Sequence, residues 1–261
     1  MLNEVKVQKY YIMKVSIITV TFNSASTVGA TLRSVTDQGY SDIEHIVIDG
    51  ASKDNTLEVV KQYPHVAQLI SEPDKGMYDG LNKGIALATG EIIGILNSDD
   101  VLHDTTIISQ IVQAFERDNS LESVFADIRF VSPKDRSKTT RYYSSAKFNP
   151  SKFEWGYMPA HPSFYCKKYV YEQFGNFQTD YKIAADYEWL TRVLYKHQIT
   201  YQYLPLLTVD MLPGGLSNGT IERRWRLNKE IIRACAENGI KTNMFKLSLK
   251  YFRKVFEYLK K

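Results

Sequence analysis

Two carboxylates stand side by side where an apolar run ends, in "GEIIGILNSDD" from Gly90 to Asp100. Like charges that close raise each other's cost of ionisation, so a cation is expected to share their site. Asn97, Ser98, Asp99 and Asp100 offer oxygen donors. That chemistry suits Mg²⁺ or Mn²⁺ and leaves coordination positions open for a diphosphate. The plainer alternative makes Asp99 or Asp100 the N-cap of a helix beginning near 104, which needs only one of the two. Three other apolar runs end in polar residues: Thr19, Thr21 and Asn23 after the first, Asp49 after the second, Glu72 and Asp74 after the third.

The elements that must carry these groups follow from the hydrophobic pattern. Runs at 14–22, 44–50, 67–72 and 91–96 read as strands, and the stretches 26–38, 55–63 and 79–90 have helical spacing. Gly90 suits the residue that closes the third helix. Strands alternating with helices mean crossover units and a mostly parallel sheet, in which ligands bind beyond the carboxyl ends of the strands. All four polar strand ends then fall on one rim. Beyond Val101, a helix is expected at 105–116, a strand at 121–131, a mobile hairpin or loop at 132–156, helices at 166–175 and 185–197, and a strand at 199–210. A glycine-rich break follows at 212–220.

Composition narrows the classes. With 261 residues, 44% hydrophobic and 24% charged, the chain can bury a sizeable core. Two cysteines, Cys166 and Cys235, form no zinc or disulfide framework, which fits a reducing, cytoplasmic setting. No apolar run is long enough to span a bilayer, and the N-terminus lacks a signal peptide's apolar middle. From Ser217 onward 12 Lys+Arg face 4 Asp+Glu, whereas residues 1–216 hold 21 against 25. A mildly acidic body therefore carries a basic tail. Neither GxGxxG nor a Walker A loop is present, so a diphosphate would lean on a metal.

The segments "VSIITVTFNSASTVGATLRSVTDQGYSDIEHIVIDGASKDNT" and "DKGMYDGLNKGIALATGEIIGILNSDD" resemble the family 2 glycosyltransferases of GT-A fold, closely from Lys14 to Leu102 and more thinly to Ser217. The resemblance implies an α/β fold with a mixed, mostly parallel sheet flanked by helices. It divides the chain into a glycosyltransferase domain at 1–216, with a nucleotide-sugar half at 14–104 and an acceptor half at 105–216, and a basic helical tail at 217–261. It implies an inverting, metal-dependent transfer from a UDP-sugar, with GDP- or dTDP-sugar as alternatives, to a saccharide or lipid-linked acceptor in surface polysaccharide or glycolipid assembly. Thr19, Thr21 and Asn23 match the first nucleotide-contacting stretch, and Asp49 the acid that bonds the base. Asp74 and Lys75 match a segment beside the nucleotide, and Asn82 a family position on the following helix, where a loop-stabilising amide is the alternative to substrate contact. Asn97, Ser98 and Asp99 align with the family's DxD motif, its first acid replaced, which leaves the metal between Asp99 and Asp100.

For the acceptor half, "KIAADYEWLTRV" matches the segment that carries the catalytic base, with Asp186 in that place and Glu188 as the second choice. A plain N-cap is the alternative for Asp186. "MPAHPSF" places His161 toward acceptor or phosphate, or in a loop. "ERRWR" is similar to the QxxRW motif of processive members, with Glu222 in place of Gln, and Trp225 is either packing or an acceptor platform. In the tail, Phe245, Leu249, Phe252, Phe256 and Leu259 form one helical stripe flanked by lysines and arginines. Residues 242–261 could dock on the body or lie on the inner face of an anionic membrane. No nucleic-acid-binding module is recognisable, and oligomeric state is open. Two rivals are a catalytically silent nucleotide-sugar binding protein and a sugar nucleotidyltransferase. The latter should carry a glycine-rich basic loop after the first strand, where "TVTFNSAST" has none.

Overall fold

The computed structural model describes residues 12–213 and 220–249. Its first half follows the expected alternation. β1 (Val15–Thr21), β2 (Ile43–Asp49), β3 (Val66–Ser71) and β4 (Ile92–Ile95) are joined through α1 (Val28–Thr36), α2 (Thr56–Val60) and α3 (Met77–Leu87). They lie parallel in the order β3-β2-β1-β4. Every residue of β1 is buried, as expected for a central parallel strand covered on both faces. Its two faces feed two cores. Ile18 and Val20 pack with Leu81 and Ile85 of α3. Val15 and Ile17 pack with Ile108, Ile111 and Phe115 of α4 (Ile107–Arg117).

The second half turns the sheet mixed. β5 (Val101–Leu102), β6 (Ser123–Ser132), β7 (Asp135–Tyr143), β8 (Tyr165–Lys167) and β9 (Tyr201–Met211) complete nine strands. The path runs on from β4 through β8, β6 and β9 to β5, with β7 paired to β6. β8 is antiparallel to both β4 and β6, while β6 and β9 are parallel. The polar stretch expected as a hairpin or loop at 132–156 is the outer arm of the β6–β7 hairpin followed by a 3-10 turn at Pro150–Trp155. α5 (Lys168–Phe174), α6 (Ala185–Thr191) and α7 (Ile221–Glu237) cover one face. α6 runs into a π-helical turn at Arg192–Lys196 where the sequence pattern continued as one helix.

Three local expectations change. Gly90 does not close α3, which ends at Leu87 with Ala88 already extended. Gly90 is required by close approach instead: a Cβ there would come within 2.6 Å of the Ser16 main-chain nitrogen. Neither Asp99 nor Asp100 caps α4, because β5 intervenes and Thr106 holds the N-cap position. Part of the expected tail is built into the core, since Ile231, Ala234 and Cys235 of α7 are buried there. Residues 244–249 are helical. Leu247 is the buried contact of that helix, whereas Phe245 is 72% exposed. Phe252, Phe256 and Leu259 lie outside the described residues.

Candidate functional site

A cleft of about 1060 Å³ opens over the carboxyl ends of β1, β2 and β4 and continues onto β6, β7 and α6. Seven of the residues singled out in the sequence line it together: Thr21, Asp74, Asn97, Ser98, Asp99, His161 and Asp186. They come from segments up to 165 positions apart, from Thr21 to Asp186.

Several others build the rim without facing the cleft. Asn23 adopts a left-handed conformation, φ 50°, which its short amide side chain tolerates. Its main-chain N–H donates to Ser52 Oγ at 2.7 Å, and its Oδ1 accepts from the Lys53 N–H at 2.8 Å. Asp49 is fully buried. Its carboxylate accepts from the Ser52 N–H at 2.9 Å, from the Ser52 hydroxyl and from Ser71 Oγ at 2.7 Å. Those bonds pin the 50–54 loop. Thr19 is buried in β1 and bonded to His45 Nε2 at 2.9 Å. The Asn82 amide clamps Phe177 from both sides, donating to its carbonyl at 2.8 Å and accepting from its N–H at 3.0 Å. The Lys75 N–H donates to Asp79 Oδ2 at 3.1 Å, and its side chain is absent from the cleft wall.

Asp74 lines the cleft next to the end of β2. Gly50 follows Asp49 directly, and a Cβ on it would lie 2.6 Å from Asp74 Oδ2. The Asp74 carboxylate therefore occupies the space a side chain at 50 would fill. Its Oδ1 is held by the Gly76 N–H at 2.8 Å. Phe22, 58% exposed, flanks the same corner of the cleft and gives a base an apolar face to lie against.

The paired acids divide by burial. Asp99 lines the cleft. Asp100 lies behind it, 1% exposed, with Oδ2 taking a bond from Asn97 Nδ2 at 2.9 Å and Oδ1 unpartnered. Burial, reinforced by the Asp99 charge, pushes the Asp100 carboxyl up to about 8, and burial raises Asp99 as well. The expected cation is partly supplied by Arg136 of β7. Its Nη2 lies 3.5 Å from the Asp99 carbonyl, and its buried Nη1 has no partner. No group of three or more His, Cys, Asp or Glu among the described residues forms a metal cage. A Mg²⁺ or Mn²⁺ ion that arrives with a diphosphate needs only one or two protein carboxylates. Asp99, backed by the unpartnered Asp100 oxygen and the amide of Asn97, fits that lesser demand.

Across the cleft, Asp186 sits in the first turn of α6. Its Oδ1 accepts from the Tyr187 N–H at 2.8 Å and lies 3.3 Å from the Tyr78 hydroxyl. Oδ2 has no hydrogen-bond partner among the described residues. Burial raises the Asp186 carboxyl above its ordinary range, with His161 opposing. His161 itself is pushed down by burial. Glu188, the second candidate base, is 1% exposed and gripped by Arg192 through two 3.0 Å contacts, with Asn238 at 3.3 Å. It faces the core and not the cleft. Trp225 is 54% exposed under the Lys229 ammonium, 3.5 Å from the ring centroid, and its neighbour Arg224 lines the cleft instead.

Sequence reasoning missed Tyr78, Arg136, Arg141 and Arg224. Tyr78 lies inside a recognisable motif, so its helical position was open to view. The two hairpin arginines carried no signal beyond charge.

Comparison with known proteins agrees with this geometry. The model of the family described as Glycosyl transferase family 2 matches residues 16–179. An uncharacterized glycosyltransferase of Mycobacterium tuberculosis is 35% identical over 182 residues, 68% of each chain. A PGL/p-HBAD biosynthesis glycosyltransferase of Mycobacterium bovis is 23% identical over 215 residues, 80% of this chain and 81% of that one. Among solved structures, residues 1–349 of Staphylococcus aureus TarS in complex with UDP-GlcNAc superpose with TM-score 0.68 at 17% identity, covering 88% of this chain and 68% of that one. A mannosyltransferase of Pyrobaculum calidifontis in complex with GDP-Man and Mn²⁺ gives TM-score 0.65 at 22% identity, over 87% and 64%. The chain spans 41% of the longer TarS chain. The nine-stranded sheet is thus that of the GT-A fold, and the chain belongs to glycosyl transferase family 2.

Proposed function

We propose that this chain is an inverting glycosyltransferase that moves a sugar from a nucleotide-diphosphate donor to an acceptor hydroxyl. The carrying observation is that Asp99 and Asp186 face one cleft from opposite halves of the chain, Asp186 with an unpartnered oxygen. Asp186 is the one carboxylate among the described lining residues of the acceptor half. A single base and no second nucleophile favour direct displacement. In that step the acceptor oxygen forms its bond to the anomeric carbon as the bond to the diphosphate breaks. Its proton passes to Asp186, and the configuration inverts.

The chain's residues have separate tasks. Phe22 and Asp74 hold the base, and Thr21, whose buried hydroxyl has no partner, turns toward the nucleoside. Asp99 holds a divalent ion with Asp100 and Asn97 behind it. When bound, that ion offsets the charge growing on the departing diphosphate. Arg136 adds fixed positive charge nearby. The ligands bound by TarS and the mannosyltransferase, UDP-GlcNAc and GDP-Man with Mn²⁺, support a nucleotide-sugar donor of this kind. UDP-sugars are the first donors to test. The M. bovis relative acts in PGL/p-HBAD biosynthesis by name, which supports an acceptor of the saccharide or lipid-linked kind, reacting through a hydroxyl.

The test is a panel of UDP-, GDP- and dTDP-sugars with Mn²⁺, scored by donor hydrolysis and transfer, with NMR of the product anomer. Retention of configuration would overturn the single-displacement mechanism, and binding without any turnover would favour the silent-binder rival.

A further inference from the structure

Arg141 is a cation in the acceptor half of the cleft that no carboxylate among the described residues neutralises. It stands on β7 opposite Phe130 of β6. Its guanidinium carbon is 5.1 Å from the Phe130 ring centroid and 5.6 Å from that of Tyr143. Two other cations of this hairpin are paired locally. Arg129 takes Asp210 at 2.7 Å, and Lys138 takes Asp135 at 3.6 Å. No described carboxylate pairs with Arg141. The undescribed stretch 214–219, which follows the cleft-lining Leu212, reads Gly-Gly-Leu-Ser-Asn-Gly and contains no acid.

Around Arg141 the wall is apolar: Phe130, Tyr143, Met158, Met211 and Leu212. The Tyr143 hydroxyl is already committed to the Met158 carbonyl at 2.7 Å, so this wall offers few polar groups of its own. A guanidinium resting near two aromatic rings keeps its N–H donors free of local partners, and its donor fork matches a carboxylate or phosphate in two-point contact. Apolar walls lower the local dielectric and strengthen such a pair.

Distance separates this group from the donor's diphosphate. Arg136, beside Asp99, lies five residues earlier on β7, so the two Cα atoms are roughly 16 Å apart at strand spacing. A diphosphate bound at Asp99 is Arg136's neighbour, and Arg141 lies further along the acceptor wall.

We propose that Arg141 selects an acceptor carrying an oxyanion, a phosphate or a carboxylate, next to an apolar or aromatic portion. The proposal rests on the glycosyltransferase reading for the word acceptor, but the binding preference is measurable without turnover.

Three probes share one ring: phenyl phosphate, phenyl glucuronide and the neutral phenyl glucoside. Their affinities are measured by titration NMR on the full chain, with and without saturating UDP. Wild type should bind at least one of the two anions ten-fold or more tightly than the glucoside. Which anion gains the preference separates a phosphate-bearing acceptor from an acidic sugar. Arg141→Met should erase the gap, and Arg141→Lys should keep part of it. UDP affinity should stay within two-fold in both variants, and their melting temperatures should match wild type. Equal binding of all three probes by wild type, or an intact gap in Arg141→Met, overturns the proposal. A loss of UDP affinity in Arg141→Met also overturns it by assigning the arginine to the donor. If none of UDP, GDP and dTDP binds wild type while the anion gap is present, the glycosyltransferase reading fails and the oxyanion site stands.

Discussion

The Tyr78 hydroxyl donates to the Ile183 carbonyl at 2.7 Å and lies 3.3 Å from Asp186 Oδ1. A hydroxyl has one proton, and the shorter contact takes it. Tyr78 therefore fixes the loop before α6 more than it stabilises the Asp186 charge, and it ties α3 of the nucleotide half to the base. Tyr78→Phe should lower melting stability by about 1 kcal/mol, the net worth of one hydrogen bond, and reduce kcat a few-fold. Asp186→Asn keeps the geometry but removes the base, so transfer should fall by roughly 10²–10⁴-fold. Nucleotide affinity, read by calorimetry, should be unchanged in the second variant. Near-normal transfer in Asp186→Asn would remove the base role.

The pH dependence of that base has a definite sign. Asp186 acts only when ionised, and burial raises its carboxyl. Activity should therefore fall on acidification at a pH above the ordinary carboxylate range of about 4. The acid limb of kcat/KM against pH reports this in the free enzyme. Because the His161 charge opposes the rise, His161→Gln should move the limb upward or leave it in place. A downward shift would contradict the stated electrostatics.

For the paired acids, the expected division is between a residue that touches the ion and residues that support it. EDTA should stop transfer and Mn²⁺ restore it. Asp99→Ala should prevent that rescue. Asn97→Ala, which releases its 2.9 Å bond to Asp100, should weaken apparent Mn²⁺ affinity by roughly 10–100-fold, the usual effect of removing an outer hydrogen-bond partner. Turnover indifferent to EDTA would end the metal assignment.

At the opposite end of the nucleotide, Gly50 and Asp74 share one space, with 2.6 Å between a Cβ at 50 and Asp74 Oδ2. Gly50→Ala should push the Asp74 carboxylate aside, which its short side chain allows. Nucleotide affinity should drop about ten-fold while the melting temperature moves little. Asp74→Asn should shift the preference between uridine and guanosine diphosphates in competition binding. If Asp49→Asn changes that preference and Asp74→Asn does not, the base is read from the loop acid after all.

That contrast marks where the sequence was legible. β1 to β4 were visible because buried parallel strands are continuous hydrophobic runs, and Asn97 to Asp100 stood out because two charges ended one of them. Asp49, Asn82 and Glu188 carry ligand-like side chains. Each is consumed by Ser52 and Ser71, by Phe177, or by Arg192. A carboxylate that pins a loop and one that grips a ligand look alike without coordinates. Arg136 and Arg141 were hidden for another reason. The place of Arg141 in the cleft and of Arg136 beside Asp99 comes from β6–β7 pairing with two register shifts, and such a hairpin leaves no single period to read.

Two buried groups away from the cleft contribute to the acid sensitivity of the fold. His45 is fully buried, bonded through Nε2 to Thr19 and through Nδ1 to His65 Nε2 at 3.0 Å. Burial, and then the His65 charge, hold His45 down to about 3. Below pH 6.5 the unfolded chain takes up a proton that the folded chain refuses until about pH 3. Stability contributed by this site is thus complete above 6.5 and is lost as pH falls through that window. Glu44 adds a second, lower step. Burial favours its neutral form, but bonds from Ser16, Thr89 and Lys14 prevail and bring it to about 2. Its contribution is present above pH 4.5 and lost toward pH 2. Urea midpoints measured between pH 8 and 4 should therefore decline from about 6.5 downward. His45→Gln, which does not titrate there, should flatten the decline between 6.5 and 4.5 even if its midpoint at pH 8 is lower. An unchanged slope in that variant would assign the acid sensitivity to other groups.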